Sequence, residues 1–250
     1  ERVGERVVGE TNISCGVCPA CLAGRRNHCP RRTVMGIVNR HGAFAEYVCL
    51  PLANLIRVPD TVSNDAAVFV EPLAAAHEIR EQIPITAADR VLVLGAGRLG
   101  QLIAQSLIPT GCKLGVSARY EKQQKLLAQN NVNIIVEQAI SENAFDIVIE
   151  ATGSPEGFIL AQKAVRPRGT LVLKSTYRGD ITVDLSSIVV DELTIVGSRC
   201  GPFVPALALL ESGRVDPTRL IDARFPLDKA LEAFDHAAQA GILKVIFDVA

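Results

Sequence analysis

Cys15, Cys18, Cys21 and Cys29 stand in the spacing C-x2-C-x2-C-x7-C, on a stretch punctuated by Gly16, Pro19, Gly24 and Pro30. Thiolates are soft ligands, and four of them fill a tetrahedral metal sphere without help from histidine or carboxylate. The glycines and prolines keep the segment a loop, which lets the sulfurs converge. A closed four-sulfur site leaves no open position for substrate, so its expected role is structural zinc that stabilises and does not catalyse. Two other chemistries stay open. C-x2-C-x2-C followed by Cys29-Pro30 echoes an iron–sulfur run, although bacterial ferredoxins place their last cysteine closer. Disulfides fit less well, because the total of seven cysteines is odd and no signal peptide is seen. His28 is surplus to the four thiolates and reads as a surface residue.

A second constellation follows. Asp89-Arg90 leads into the apolar run Val91–Leu94, which passes straight into Gly95-Ala96-Gly97-Arg98-Leu99-Gly100. Beyond it Leu102, Ile103, Ala104 and Leu107 recur at helical spacing until Pro109-Thr110-Gly111. Strand, glycine turn and helix thus come in the order that a dinucleotide cradle needs. Gly95 is expected to make the tight turn, Gly97 to admit a pyrophosphate, and Gly100 to let helix and strand pack closely. The helix start would face the phosphates with free N–H groups. The next strand, Lys113–Ser117, carries no acid at its end to accept from a ribose 2′-OH; Glu121 comes later and opens a helix. Ser117 and Arg119 suit a 2′-phosphate instead, which favours NADP, with NAD still possible.

These sites need elements to position them. The 250 residues are 48% hydrophobic with net charge −1, enough apolar material for a substantial core and possibly two domains. There is no basic stripe for nucleic acid and no apolar run long enough for a membrane. Residues 1–62 read as short strands and loops, with strands at Arg6–Gly9, Ala43–Cys49 and Leu55–Val58. A helix is expected from Ser63 or Asn64, continuing brokenly past Pro72 to Gln82. Strands are expected at 91–94, 113–117, 132–136, 146–150, 170–174 and 193–197. Helices are expected at 98–108, 121–130, 155–165 and 203–212. That alternation predicts an α/β, doubly wound parallel sheet. The tail should hold a helix, Leu227–Gln239, and a strand, Lys244–Val249.

Taken jointly, several segments resemble the medium-chain zinc-dependent alcohol dehydrogenase family, over essentially the whole chain. They are the four-cysteine lobe, Gly42–Tyr47, Glu71-Pro72-Leu73-Ala74, Gly95–Gly100, Phe145–Gly153 and the ending Phe225-Pro226-Leu227…Leu243-Lys244-Val245. Val196–Phe203 points to the threonine/sorbitol-dehydrogenase-like branch. The resemblance implies a Rossmann domain over 83–212. It also implies a partial, β-rich GroES-like catalytic domain over 1–82 and a return segment, 213–250, packing on that domain. Family members begin with roughly seventy further residues that hold the cysteine and Gly-His-Glu of the catalytic zinc. This chain, starting at Glu1-Arg2-Val3, resembles the strand just after them, so it is expected to be a fragment, inactive alone and without catalytic zinc.

By the same resemblance, Glu71 matches a ligand of catalytic zinc, and its apolar flanks suggest that it is buried. His77 is expected to pack and not to ligate. Thr152 and Gly153 would border the cofactor riboses, and Lys174 could line the nicotinamide pocket. Ser198 and Arg199 would lie near the nicotinamide or a dimer seam, and Lys244 would reach the pyrophosphate. The implied reaction is hydride transfer between a nicotinamide and a small alcohol, or its aldehyde or ketone. The alternative is a non-catalytic NADP(H)-binding or interaction protein with the same zinc lobe. The apolar edge strand Leu193–Gly197 suggests a homodimer, and the setting implied is cytoplasmic.

Overall fold

The computed structural model describes residues 2–177 and 180–249. Its N-terminal part is built from short pieces: β1 (Val7–Gly9), β2 (Asn12–Ile13), the one-turn helix α1 (Pro19–Leu22), β3 (Thr33–Val34) and β4 (Leu55–Arg57). β1 pairs antiparallel with β4, placing Val8 opposite Ile56, and β2 pairs antiparallel with β3. The strand expected over Ala43–Cys49 does not form. Phe44, Tyr47 and Val48 are exposed there, and among the described residues no strand runs alongside to take its backbone hydrogen bonds. An extended segment without a ladder partner has nothing to hold it as a strand.

Ser63 caps α2 (Asn64–Ala67) by accepting from the Ala66 amide at 3.1 Å, and α3 (Val70–Gln82) follows. The break between them falls at Val68-Phe69, earlier than Pro72 suggests. Pro72 lies in the first turn of α3, where a missing N–H costs nothing.

From Arg90 the chain alternates: β5 (Arg90–Leu94), α4 (Arg98–Leu107), β6 (Lys113–Ser117), α5 (Glu121–Gln129), β7 (Asn133–Ile134), β8 (Phe145–Glu150), α6 (Pro155–Ala164), β9 (Val165–Leu173), α7 (Leu185–Val190), β10 (Thr194–Gly197) and α8 (Phe203–Glu211). The six strands are parallel in the order β7-β6-β5-β8-β9-β10, which is the doubly wound arrangement with its reversal between β5 and β8. A sheet covered on both faces needs apolar side chains on both. Val91 and Val93 face a layer that includes α3, α4 and α8, while Leu92 and Leu94 face α6 through Phe158, Ala161 and Ala164. None of these four β5 residues is more than 1% exposed. Burying each contributes roughly 1.5–3 kcal/mol, so the strand that ends in the glycine turn is among the most firmly held. β10 lies at the sheet edge, as expected, and α7 was not anticipated.

The tail forms β11 (Ile221–Pro226), a 3-10 turn at Leu227–Lys229, α9 (Ala230–Ala237) and β12 (Lys244–Asp248), with β11 parallel to β12. The helix expected over Leu227–Gln239 is thus shorter and starts as a tight turn. The tail returns to the N-terminal part. Phe44 meets Phe234 and Phe247 edge-on at 5.6 and 5.1 Å between ring centroids, and Arg224 pairs with Asp65. No helix among the described residues is long and apolar enough to cross a membrane.

Candidate cofactor cleft and metal centre

At the carboxyl ends of β5, β6 and β8 the sheet opens into a cleft of about 900 Å³, within the range of small-molecule and cofactor pockets. Three glycines shape its floor differently. Gly95 turns with φ +93°, and a Cβ there would lie 2.8 Å from the Ala151 carbonyl oxygen. A Cβ on Gly100 would stand 1.9 Å from the Gly95 carbonyl oxygen, so this glycine lets α4 rest on the turn. Gly97 faces open space, with no heavy atom within 4 Å of a Cβ built on it. It also starts α4 without a side-chain cap. The cradle therefore leaves room and uncapped helix amides where an anion would sit.

Of the residues singled out from sequence, Gly95, Gly97, Ser117, Arg119 and Thr152 line this cleft. Arg119 is exposed and makes no ion pair among the described residues. Glu121 pairs with Lys125 at 2.7 Å along α5 and does not line the cleft. Gly100 packs behind the turn, and Leu99 leans into the core. Gly153 donates its amide to Ser175 Oγ at 2.8 Å. Tyr120, Glu137 and Gln138 also line the cleft. No sequence motif marks them, because they follow separate strands and meet only through the topology.

Arg98 and Lys244 lie together in a smaller neighbouring pocket of about 390 Å³ with Phe44, Phe234 and Phe247. Lys244 Nζ sits 5.5 Å from the centroid of Phe69. Burial lowers its pKa, and the charge of Arg98 lowers it further, against the pull of Glu71. Glu71 itself is exposed, not buried as its flanks suggest. Val70, Leu73 and Ala74 take the core-facing side of α3, and Glu71 is left on the other. Partial desolvation still raises its pKa, while Lys244 and Lys174 oppose that rise.

Lys174, at the end of β9, donates to the Ala75 carbonyl at 2.6 Å, to Ser198 Oγ at 3.1 Å and to the Arg199 carbonyl at 3.0 Å. Burial draws its pKa down to about 8, against Glu78, Cys200 and Glu71. Ser198 and Arg199 do not line the 900 Å³ cleft. Ser198 is buried, and the Arg199 guanidinium reaches the Asn27 carbonyl, 3.0 Å away in the cysteine lobe. His77 is buried beside Glu81, its Nε2 3.1 Å from Oε1, in keeping with a packing role.

The four cysteines meet. Their sulfurs lie 3.9 Å (Cys15 to Cys21), 3.4 Å (Cys18 to Cys21), 3.8 Å (Cys18 to Cys29) and 3.5 Å (Cys15 to Cys29) apart. A tetrahedral ion with metal–sulfur bonds of about 2.3 Å separates its ligands by about 3.8 Å. The spacing fits one such ion, is too long for disulfides and leaves no room for a multi-iron cluster. Turns at Gly16 and Gly24, φ +75° and +76°, fold the loop around this point. Arg31 Nη2 donates to Cys15 Sγ at 3.2 Å. The Val17 amide, with other sulfur neighbours and against burial, pulls the Cys15 thiol down to about 6, while Cys18, against the Cys21 amide, is pushed by burial and the neighbouring sulfurs up to about 11. His28 is exposed and outside the group. Among the described residues this is the one set of three or more metal-type ligands that converges, and Glu71 is not part of it.

Residues 1–60 match the family described as alcohol dehydrogenase GroES-like domain, and residues 99–212 match the family described as zinc-binding dehydrogenase. The chain is 30% identical to an L-threonine 3-dehydrogenase of Pectobacterium atrosepticum, over 98% of this chain and 72% of that protein. A Sinorhizobium meliloti 1021 structure bound to NADP, provisionally described as a zinc-binding dehydrogenase, is 30% identical with a TM-score of 0.88. The match covers 98% of this chain and 77% of that one. An Escherichia coli CFT073 alcohol dehydrogenase complexed with NADH is 26% identical, with a TM-score of 0.88 and coverage of 98% and 77%.

Proposed function

The chain belongs to the medium-chain zinc-dependent alcohol dehydrogenase family and is a CH–OH dehydrogenase, and we propose that it exchanges a hydride between NADP(H) and a small alcohol or the matching aldehyde or ketone. The observation that carries the NADP reading is the end of β6. Ser117 and Arg119 line the cleft there, and no carboxylate stands at the strand end. Arg119, with its charge unspent, suits a bidentate bond to a 2′-phosphate. A charge-assisted contact of about 1.5–3 kcal/mol corresponds to roughly 10–150-fold in affinity. Arg119→Ala should weaken NADPH binding by that factor and leave NADH within about threefold. Equal losses for both nucleotides would show that Arg119 does not read the phosphate.

Within this reading the chain's own residues divide the work. The Gly95–Gly100 turn and the start of α4 hold the pyrophosphate, helped by Lys244 and Arg98 from the side. The Thr152-Gly153 turn borders the riboses. The bound nicotinamide supplies the hydride chemistry at its C4. The cysteine set holds one structural zinc. Glu71 matches the family's catalytic-zinc ligand, but among the described residues it belongs to no converging set of three or more metal-type ligands. The described residues do not complete that site. Metal content by elemental mass spectrometry reads this directly. About one zinc per chain fits the cysteine site alone, and about two would overturn that count.

The division into 1–82, 83–212 and 213–250 has support in the tail's contacts with Phe44, Asp65 and Phe69. The exposed edge of β10 suits pairing with a second copy. A cytoplasmic setting suits a site that needs four reduced thiolates. The relative's substrate, L-threonine, sets the first compounds to assay among small hydroxylated molecules.

A further inference from the structure

Glu150, the last residue of β8, is 0% exposed, and no cation pairs with it among the described residues. A carboxylate so placed is costly unless its oxygens are fully engaged. They are engaged by neighbours of the cleft. Oε1 accepts from the Thr152 amide at 2.6 Å and from Thr152 Oγ1 at 2.5 Å, and Oε2 accepts from Tyr177 Oη. The hydroxyl of Thr152 in turn accepts from the Ser154 amide at 3.1 Å, and Ser154 Oγ caps α6 by accepting from Gly157 N at 3.0 Å. A Cβ on Gly157 would lie 1.9 Å from Thr152 Oγ1, so only glycine leaves space for that hydroxyl. From the other side Ser175, two residues before Tyr177, accepts the Gly153 amide at 2.8 Å. Ala151 and Thr152 press on the Gly95 turn, the Thr152 Cα standing 3.1 Å from where a Gly95 Cβ would be.

We propose that Glu150 is a positioning residue for the dinucleotide. Its carboxyl group locks the Thr152-Gly153 turn to the segment leaving β9 and to the glycine turn, and so fixes the cofactor half of the cleft. It does not touch the cofactor itself. This role rests on the cofactor reading of the cleft. It also separates two kinds of turn: Gly95 turns through backbone freedom, whereas the turn at 151–154 is made by a buried side chain whose three hydrogen bonds span two strand ends.

Two nucleotide dissociation constants, for NADPH and NADH by fluorescence titration, and the thermal midpoint are measured on the full chain and three variants. Glu150→Ala and Thr152→Val should each weaken binding of the preferred nucleotide at least about tenfold. Glu150→Gln retains an acceptor oxygen for Thr152 and a polar partner for Tyr177, and should stay within about threefold of wild type. Thr152→Val is nearly isosteric, so it tests the proposal even if Glu150→Ala does not fold. Wild-type affinity in both weakened variants, with only the midpoint lowered, would overturn the positioning role. A wild-type chain that binds neither nucleotide would overturn the cofactor reading and this role with it.

Discussion

The cysteine lobe and the dinucleotide cleft represent two opposite ways to build a site. The lobe takes its four ligands from fifteen consecutive residues, Cys15 to Cys29, and bends them inward with local glycine turns. No described residue from 10 to 49 joins either hydrophobic cluster. Apolar packing therefore does little to order it, and a metal at the four sulfurs is expected to supply much of that order. The cleft draws its lining from Leu94 to Leu160, across four strand ends, and rests on two buried layers of the sheet. One site is local and ligand-dependent, the other distributed and held by packing. Damage to either should leave the other standing.

The largest effect tests the local half. Structural zinc contributes about 10–16 kcal/mol of apparent binding free energy in small peptides, and a site with three sulfurs lacks one of the four bonds that supply it. Cys29→Ser should release the zinc and open residues 15–31 to limited proteolysis, while NADPH affinity stays within about threefold. Parallel loss of zinc and of more than about tenfold in affinity would break the comparison. The route for such coupling is visible in the bond from Arg199 to Asn27.

A smaller effect tests the distributed half. Gly100→Ala puts a methyl group 1.9 Å from the Gly95 carbonyl oxygen, which forces α4 off the turn. A contact that short cannot be absorbed by a flexible side chain, since the obstacle is backbone. NADPH affinity should fall about 100-fold, or about 2.7 kcal/mol, with one zinc per chain retained. Affinity unchanged by this substitution would mean that the turn is not where the phosphates bind.

What the sequence revealed follows the same division. The cysteine spacing and the strand–glycine–helix order are local patterns, and both can be read without a fold. The buried strands Val91–Leu94 and Phe145–Glu150 are legible for a related reason, since a parallel strand covered on both faces is apolar throughout. Ala43–Cys49 reads as a strand yet is none, because strand formation depends on a partner that propensity does not report. Glu71 looks buried from its flanks, but helical periodicity places consecutive residues on different faces. Glu150 gave no sign of its role. Its partners Thr152 and Tyr177 are separated by 25 residues and meet only because β8 and β9 are neighbours.

The seam between the two regions offers the smallest test. Lys174 ties α3 to the loop after β10 through Ala75, Ser198 and Arg199, and Arg199 continues to the lobe. Burial lowers its pKa from 10.5 to about 8, opposed by the charges of Glu78, Cys200 and Glu71. Between those two values the unfolded chain holds a proton that the folded chain has released. Stability therefore rises with pH across that window and is flat in this group below about 8. At about 1.4 kcal/mol per pH unit the full window is worth about 3 kcal/mol, and water at a half-buried amine reduces this to roughly 1–2 kcal/mol. Because the Cys200 thiol is one of the charges that act on Lys174, the comparison is made in a Cys200→Ser background. Urea unfolding at pH 7.5, 9.0 and 10.5 should show stability climbing in that background and climbing less by about that amount once Lys174→Met is added. Parallel pH profiles would mean that the amine is as well solvated in the folded chain as in the unfolded one, and that the seam is looser than its three hydrogen bonds imply.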